Sequence, residues 1–363
     1  MLIEAPAIIH MDGMAINANS SLQELDRMDC EESLYEFLRQ SWQWMDPTPF
    51  VEGWALEAVA DHLQAVCDGS IRRLIINIPP RMGKSTITSA AFPAWVWAQR
   101  NSSPTSGPSV QFLHASYAQQ LSLRDSVKCR RLIESPWYQS LWGDRFHLLG
   151  DQNTKSRFDN DQRGSRLSTS VGSALTGEGG SIIVVDDPNA AQEAFSDATI
   201  ESTIEWWDSA LSTRLNDPKT GAFVVIQQRL GEEDLTGHIL SKAVGDWTHL
   251  CLPMRFEPER SAVTSIGWQD PRTENGELLW PERFGEEEVA MLERQLGPWA
   301  AAGQLQQSPQ PKGGGIFKRD WWKLWESPDD SFPPMEYVLV SADTAYTQDQ
   351  ANDPTGCTVW GVY

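Results

Sequence analysis

Four stretches of this chain are apolar at almost every position: LIINI at 74–78, VQFLHAS at 110–116, SIIVVDDP at 181–188 and AFVVIQQR at 222–229. Strands apolar on both faces, separated by segments with apolar residues at three- and four-residue spacing, predict a mostly parallel sheet covered on both sides by helices. Helices are expected over 116–135 (SYAQQLSLRDSVKCRRLIES) and over about 196–212. Between them, KSRFDN and GSRLSTSV flank DQR and predict a hairpin. Upstream, Trp54, Val59, Leu63 and Val66 fall on one side of a helix closed near Gly69. Apolar spacing from Leu34 to Trp44 adds an N-terminal helical arm.

Beyond Pro253 the pattern becomes irregular and rich in proline and charge, apart from a helix over EEEVAMLERQL. It ends in two further apolar stretches, EYVLVSADTAY and GCTVWGVY. The expected organisation is an arm at 1–45, a nucleotide-binding α/β domain at 46–252, a linker or lid subdomain at 253–334, and the first strands of another domain at 335–363. Thirty residues cannot bury a core of their own.

Composition narrows the options. The 363 residues are 40% hydrophobic and 22% charged, a globular balance, with no apolar run long enough to span a bilayer. The N-terminus has no basic segment before its apolar residues, so no signal peptide is expected. Cys30, Cys67, Cys129, Cys251 and Cys357 are dispersed, without CxxC spacing, which fits a reducing compartment better than a disulfide scaffold or zinc site. A net charge of -21 excludes a protein that coats DNA by general basicity. Local contact remains open at Arg72 with Arg73, at Arg124, Lys128, Arg130 and Arg131, and at KRDWWK (318–323), where a solvated helix face is the competing reading.

The chemistry centres on IINIPPRMGKSTITSAAF, 75–92. A strand, a tight loop and a helix starting at a Lys-Ser pair is the arrangement of a phosphate-binding loop, although Ile78 stands where GxxxxGK[ST] has its first glycine. Pro79 and Pro80 donate no hydrogen bond, so the phosphates of ATP must rest on the amides from Met82, Gly83, Lys84 and Ser85 into Thr86, with the positive end of the helix behind them. Lys84 is assigned to the β- and γ-phosphates, Ser85 to Mg2+, and Arg81 to charge developing on the γ-phosphoryl. Asp186 and Asp187 close an apolar strand. There Asp186 can reach the metal of the neighbouring strand-loop unit through water, and Asp187 can orient the attacking water as general base. A helix N-cap is the alternative for this pair. Gln227, Gln228 and Arg229 end another buried strand and suit a γ-phosphate sensor, with strand-end solvation as the alternative.

The ordered series INIPPRMGKS, ASYAQQLSLRDSVKCRRLIESPWY, ALTGEGGSIIVVDDP, QQRLGEEDLTGHIL, GELLWPERF with QQSPQPKGGGIFKRDWW, and SADTAY resembles the large terminase subunits of tailed bacteriophages, from Pro49 onward. The resemblance implies an ASCE-type P-loop ATPase, with Gln227 to Arg229 at a motif coupling hydrolysis to DNA movement. It implies double-stranded DNA, a portal protein and a small terminase subunit as partners, a ring of copies (a pentamer), and work in the bacterial host cytoplasm. It also implies an RNase H-like endonuclease domain using Mg2+ or Mn2+, with Asp343 as first ligand. A two-metal nuclease needs at least three carboxylates, and of the acids before Tyr363 only Asp343, with Asp353 as a second candidate, is matched to such a site. The expectation is a C-terminally truncated chain without nuclease activity. A helicase-like DNA-dependent ATPase and a non-catalytic prophage remnant are the alternatives.

Overall fold

In the computed structural model, which describes residues 8–11, 14–193, 196–242, 244–310, 334–343 and 356–362, the chain begins with an antiparallel hairpin, β1 (Ile8–Met11) and β2 (Met14–Asn17). Helices α1 (Ala18–Glu32) and α2 (Leu34–Ser41) follow, the second capped by Ser33, whose side chain accepts from the Glu36 amide. Phe37 is fully buried and packs on Trp137 and Trp142, with ring centroids 5.5 and 5.6 Å away. The expected arm is helical, but α2 belongs to the main core.

Helix α3 (Trp54–Asp68) ends at Gly69, whose left-handed backbone (φ 90°) lets its amide return to the Val66 carbonyl. The main sheet is then built from β3 (Arg73–Asn77), β4 (Gln111–Ser116), β5 (Leu148–Asn153), β6 (Arg157–Asn160), β7 (Ser165–Ser170), β8 (Ile182–Asp186), β9 (Ala222–Gln227) and β10 (Thr248–Cys251). Its order is β10-β3-β9-β8-β4-β7-β6-β5. The first six strands in that order pair parallel, and β6 joins β7 antiparallel in the expected hairpin. Every residue of β8 and β9 is buried, as their apolar runs require. One expectation is corrected: the strand carrying Asp186 is not the neighbour of the strand that feeds the phosphate loop, because β9 lies between β3 and β8. Order along the chain cannot show this insertion, since β9 is the last of the three in sequence.

The helix after the phosphate loop starts at Lys84, widens to a π-helical stretch at Thr86–Ala91 and continues as α4 (Phe92–Ala98). Pro93 explains the widening. It has no N–H for the carbonyl four residues back, Ser89, and its ring crowds that carbonyl. Helices α5 (Gln119–Ile133) and α6 (Pro136–Trp142) follow β4. Helix α7 (Asp197–Trp206), continuing as a π-helical turn to Leu211, precedes β9, and α8 (Leu235–Lys242) precedes β10.

The irregular segment after β10 packs on the same core. Met254, Leu279 and Trp280 are buried, and the Trp280 Nε1 donates to the Glu52 carbonyl at 2.8 Å. The expected boundaries near 45 and 252 therefore coincide with no break in packing, and Met1–Gly313 forms one compact unit. Helix α9 (Glu286–Gln304) keeps helical geometry through the expected EEEVAMLERQL, then breaks at Gly297 (φ 73°), followed by Pro298.

The second unit, Gly314–Tyr363, contributes the antiparallel pair β11 (Tyr337–Asp343) and β12 (Gly356–Val362). Val338, Leu339, Val340, Val359 and Trp360 are all exposed. KRDWWK and Asp353 lie outside the described residues.

Candidate active site

The loop after β3 and the ends of β8 and β9 meet at the carboxyl edge of the sheet, where parallel sheets bind ligands. A cleft of about 470 Å³ opens there, lined by Arg81, Gly83, Lys84, Ser85, Thr86, Asp187 and Gln228. Two residues in the loop have positive φ, Arg81 (65°) and Gly83 (74°). This alternation lets a loop with two prolines still turn sharply into its helix; at Gly83 a Cβ would meet both a strained backbone and Leu56 at 3.3 Å. Met82 sends its side chain into the core, leaving its backbone to the loop.

Lys84 is buried, and its Nζ lies 2.9 Å from the Asp187 Oδ2. The ammonium thus spans from the phosphate loop to the end of β8. Asp187 itself has a left-handed backbone (φ 44°). Its amide donates to the Ile226 carbonyl, its carbonyl accepts from the Tyr117 amide, and its Oδ1 accepts from the Gln228 amide at 3.3 Å. The strain is held in place by β4 on one side and β9 on the other.

Asp186 lies deeper. Its Oδ2 accepts from the Ser89 hydroxyl at 3.1 Å, and its Oδ1 is buried with no partner among the described residues. Burial, followed by the carboxylates of Asp187 and Asp125, pushes its pKa up to about 7 against the opposing pull of Lys84 and Ser85. A buried carboxylate with an orphaned oxygen beside a serine hydroxyl fits a divalent cation, which takes oxygen ligands and shares them with phosphates and water. Among the described residues no group of three or more His, Cys, Asp or Glu could hold a metal, so an all-protein cage is not what this site offers.

Gln227 and Gln228 close β9 between the two acids and the loop. Both are buried or nearly so, and the Gln227 Nε2 and Gln228 Oε1 have no partner among the described residues. The Gln227 carbonyl accepts from the Ile78 amide and from the Asn77 side chain, tying β9 to the start of the phosphate loop. Arg229 points away from the cleft into a salt bridge with Asp234 at 2.9 Å, and its amide donates to Gln307 at 3.0 Å. Gln228 is therefore the member of the trio that reaches the cleft, and Arg229 joins β9 to the segment after α9.

Of the basic spots, Arg124 and Lys128 line the cleft, while Arg130 bonds to Asn153 and Arg73 lies over the Phe223 ring. Arg283, Trp42, Asp46 and Thr48 also line it and were not singled out in the sequence. The signal for Arg283 was its place in WPERF, where Trp280 anchors the segment. Five cations, Arg81, Lys84, Arg124, Lys128 and Arg283, face two acids, Asp46 and Asp187, around this cleft in a chain of net charge -21. Such local inversion of charge suits a polyanionic ligand. Arg81 is exposed at the mouth and makes no hydrogen bond or ion pair among the described residues.

Asp343 ends β11, opposite Gly356. No helix among the described residues is long and apolar enough to cross a membrane.

No protein-family model matches the chain, and no curated protein matches its sequence. Solved structures do. The chain is similar to the HK97 bacteriophage large terminase, with 11% identity and a TM-score of 0.43 over 64% of this chain and 45% of that one. It is similar to a large terminase from a thermophilic bacteriophage in complex with ADP, with 12% identity and a TM-score of 0.41 over 83% of this chain and 64% of that one. A Thermus phage large terminase ATPase domain gives 13% identity and a TM-score of 0.40 over 71% of this chain and 93% of that domain. The chain thus spans 45% and 64% of the first two of these terminases.

Proposed function

We propose that this chain hydrolyses ATP as the motor subunit of a phage DNA-packaging terminase, moving double-stranded DNA into a procapsid. The observation that carries the hydrolytic reading is the Lys84–Asp187 ion pair across the cleft, with the Asp186 Oδ1, unpartnered among the described residues, buried beside it. Without nucleotide, Lys84 neutralises the residue assigned as general base. Phosphate oxygens of ATP compete for the same ammonium, so binding releases Asp187 to accept a proton from the attacking water. Its Oδ1 stays oriented by the Gln228 amide. Ser85 and Asp186 would hold Mg2+, which supplies charge neutralisation for the phosphates. Arg81, free at the mouth, is placed to meet charge on the γ-phosphoryl.

The packaging part rests on the ordered motif series. Gln228 touches the base and Arg229 touches the segment after α9, which gives hydrolysis a short path to another part of the chain. DNA, the portal protein, the small terminase subunit and a ring of copies in the host cytoplasm belong to this proposal. Asp343 is proposed as one ligand of a nuclease site. That this chain lacks nuclease activity stays part of the proposal, and metal-dependent cleavage of plasmid by the chain, lost in Asp343→Asn, contradicts it. The test is ATP turnover with and without double-stranded DNA, for the wild type and Gln228→Ala. Stimulation by DNA that the variant loses while keeping basal turnover supports the coupling. Turnover indifferent to DNA in both contradicts it.

A further inference from the structure

Behind the cleft, Arg166 on β7 is fully buried and forms no salt bridge among the described residues. A buried guanidinium is costly unless its donors are used. Two of them are: Nη1 donates to the Ser168 hydroxyl at 2.6 Å, and Nη2 donates to the Ser89 carbonyl at 2.8 Å. That carbonyl is the one whose i+4 amide is missing, because Pro93 has no N–H. The side chain of the same Ser89 donates to Asp186 Oδ2 at 3.1 Å. Proline, arginine and π-helical turn therefore converge on one serine, and the serine on the carboxylate assigned to the metal.

We propose that Arg166 is a positioning residue for the metal-binding carboxylate: it fixes the widened turn through the Ser89 carbonyl, and Ser89 Oγ in turn fixes the rotamer of Asp186. The inference rests on the nucleotide reading above. Arg166 touches neither substrate nor metal. Its effect reaches the site through a backbone carbonyl whose i+4 donor is missing at Pro93. Losing an outer-shell partner of this kind weakens metal binding about 10–100-fold.

The test is Mn2+ binding to the ADP-loaded full chain, followed by electron paramagnetic resonance, for wild type, Ser89→Ala, Arg166→Lys and the double variant, with ADP affinity in chelator as control. Ser89→Ala removes one hydroxyl and leaves in place both hydrogen bonds of the guanidinium, to the Ser168 hydroxyl and the residue-89 carbonyl, so it reports even if Arg166→Lys unfolds. The expected result is about tenfold weaker Mn2+ binding in Ser89→Ala, unchanged metal-free ADP affinity, and a double variant no weaker than the worse single one. Wild-type Mn2+ affinity in a folded Ser89→Ala, or fully additive losses, overturns the inference alone. A wild type that binds no Mn2+ with ADP removes the nucleotide reading and this inference with it.

Discussion

At the scale of residues, the cleft holds charges placed at a cost. Asp186 is ionised only against burial and two neighbouring acids, so its folded-state pKa of about 7 lies above the ordinary 3.8. A raised carboxyl pKa favours the folded state at low pH, and that advantage is lost as pH rises through about 7. Asp186→Asn should therefore stabilise the metal-free protein at pH 8, by about 1–3 kcal/mol in urea unfolding, while abolishing hydrolysis. A destabilised variant would show that Asp186 is a structural residue. Arg81 separates in a similar way. Its left-handed backbone disfavours any side chain, so Arg81→Gly should gain up to about 1 kcal/mol of stability and still lose turnover about 10²–10³-fold. Retained turnover in either Arg81→Gly or Arg81→Ala removes the arginine from the chemistry.

At the scale of elements, the apolar runs of β3, β4, β8 and β9 announced their strands, because burial on both faces leaves no room for polar alternation. The Lys84 and Asp186–Asp187 positions followed from strand-end logic. The order β3-β9-β8 did not, since pairing partners in a parallel sheet are decided by crossovers that leave no local mark. Arg166 was equally hidden: β7 reads SRLSTS, a mixed pattern in which a buried arginine looks like an exposed one. The segment at 253–310 looked separate because its texture is polar and proline-rich, yet Trp280 fixes it to Glu52 and stacks with Arg283, which then lines the cleft. Trp280→Ala should cost about 3–5 kcal/mol and weaken nucleotide binding together, as seen in thermal unfolding with and without Mg2+-ADP. Weakened stability with unchanged nucleotide affinity would detach Arg283 from the site.

At the scale of the whole molecule, buried histidines counter Asp186 in how stability responds to acid. His249 on β10 gives its Nε2 to Asn77 Oδ1 at 2.7 Å, and burial with Arg229 and Arg260 nearby pulls its pKa down to about 4. His114, enclosed beside Arg166, is pulled well below its ordinary range by the same causes. The unfolded chain takes up these protons near pH 6.5 and the folded chain does not, so their contribution to stability falls as pH drops from about 6.5 towards 4, opposite in sign to that of Asp186. From pH 7.5 to 5 the His249 share is about 2 kcal/mol, and His249→Asn should flatten the profile by that amount. A profile unchanged by the substitution would place the acid sensitivity elsewhere. The same molecule concentrates its cations at one cleft against a surplus of acids, which is the arrangement the central claim requires. That claim is tested most directly by steady-state ATP hydrolysis of the folded chain beside Lys84→Ala and Asp187→Asn. Magnesium-dependent turnover in the wild type that falls at least about 10²-fold in both variants is the predicted result. Equal turnover in all three, or none in a folded wild type, contradicts it.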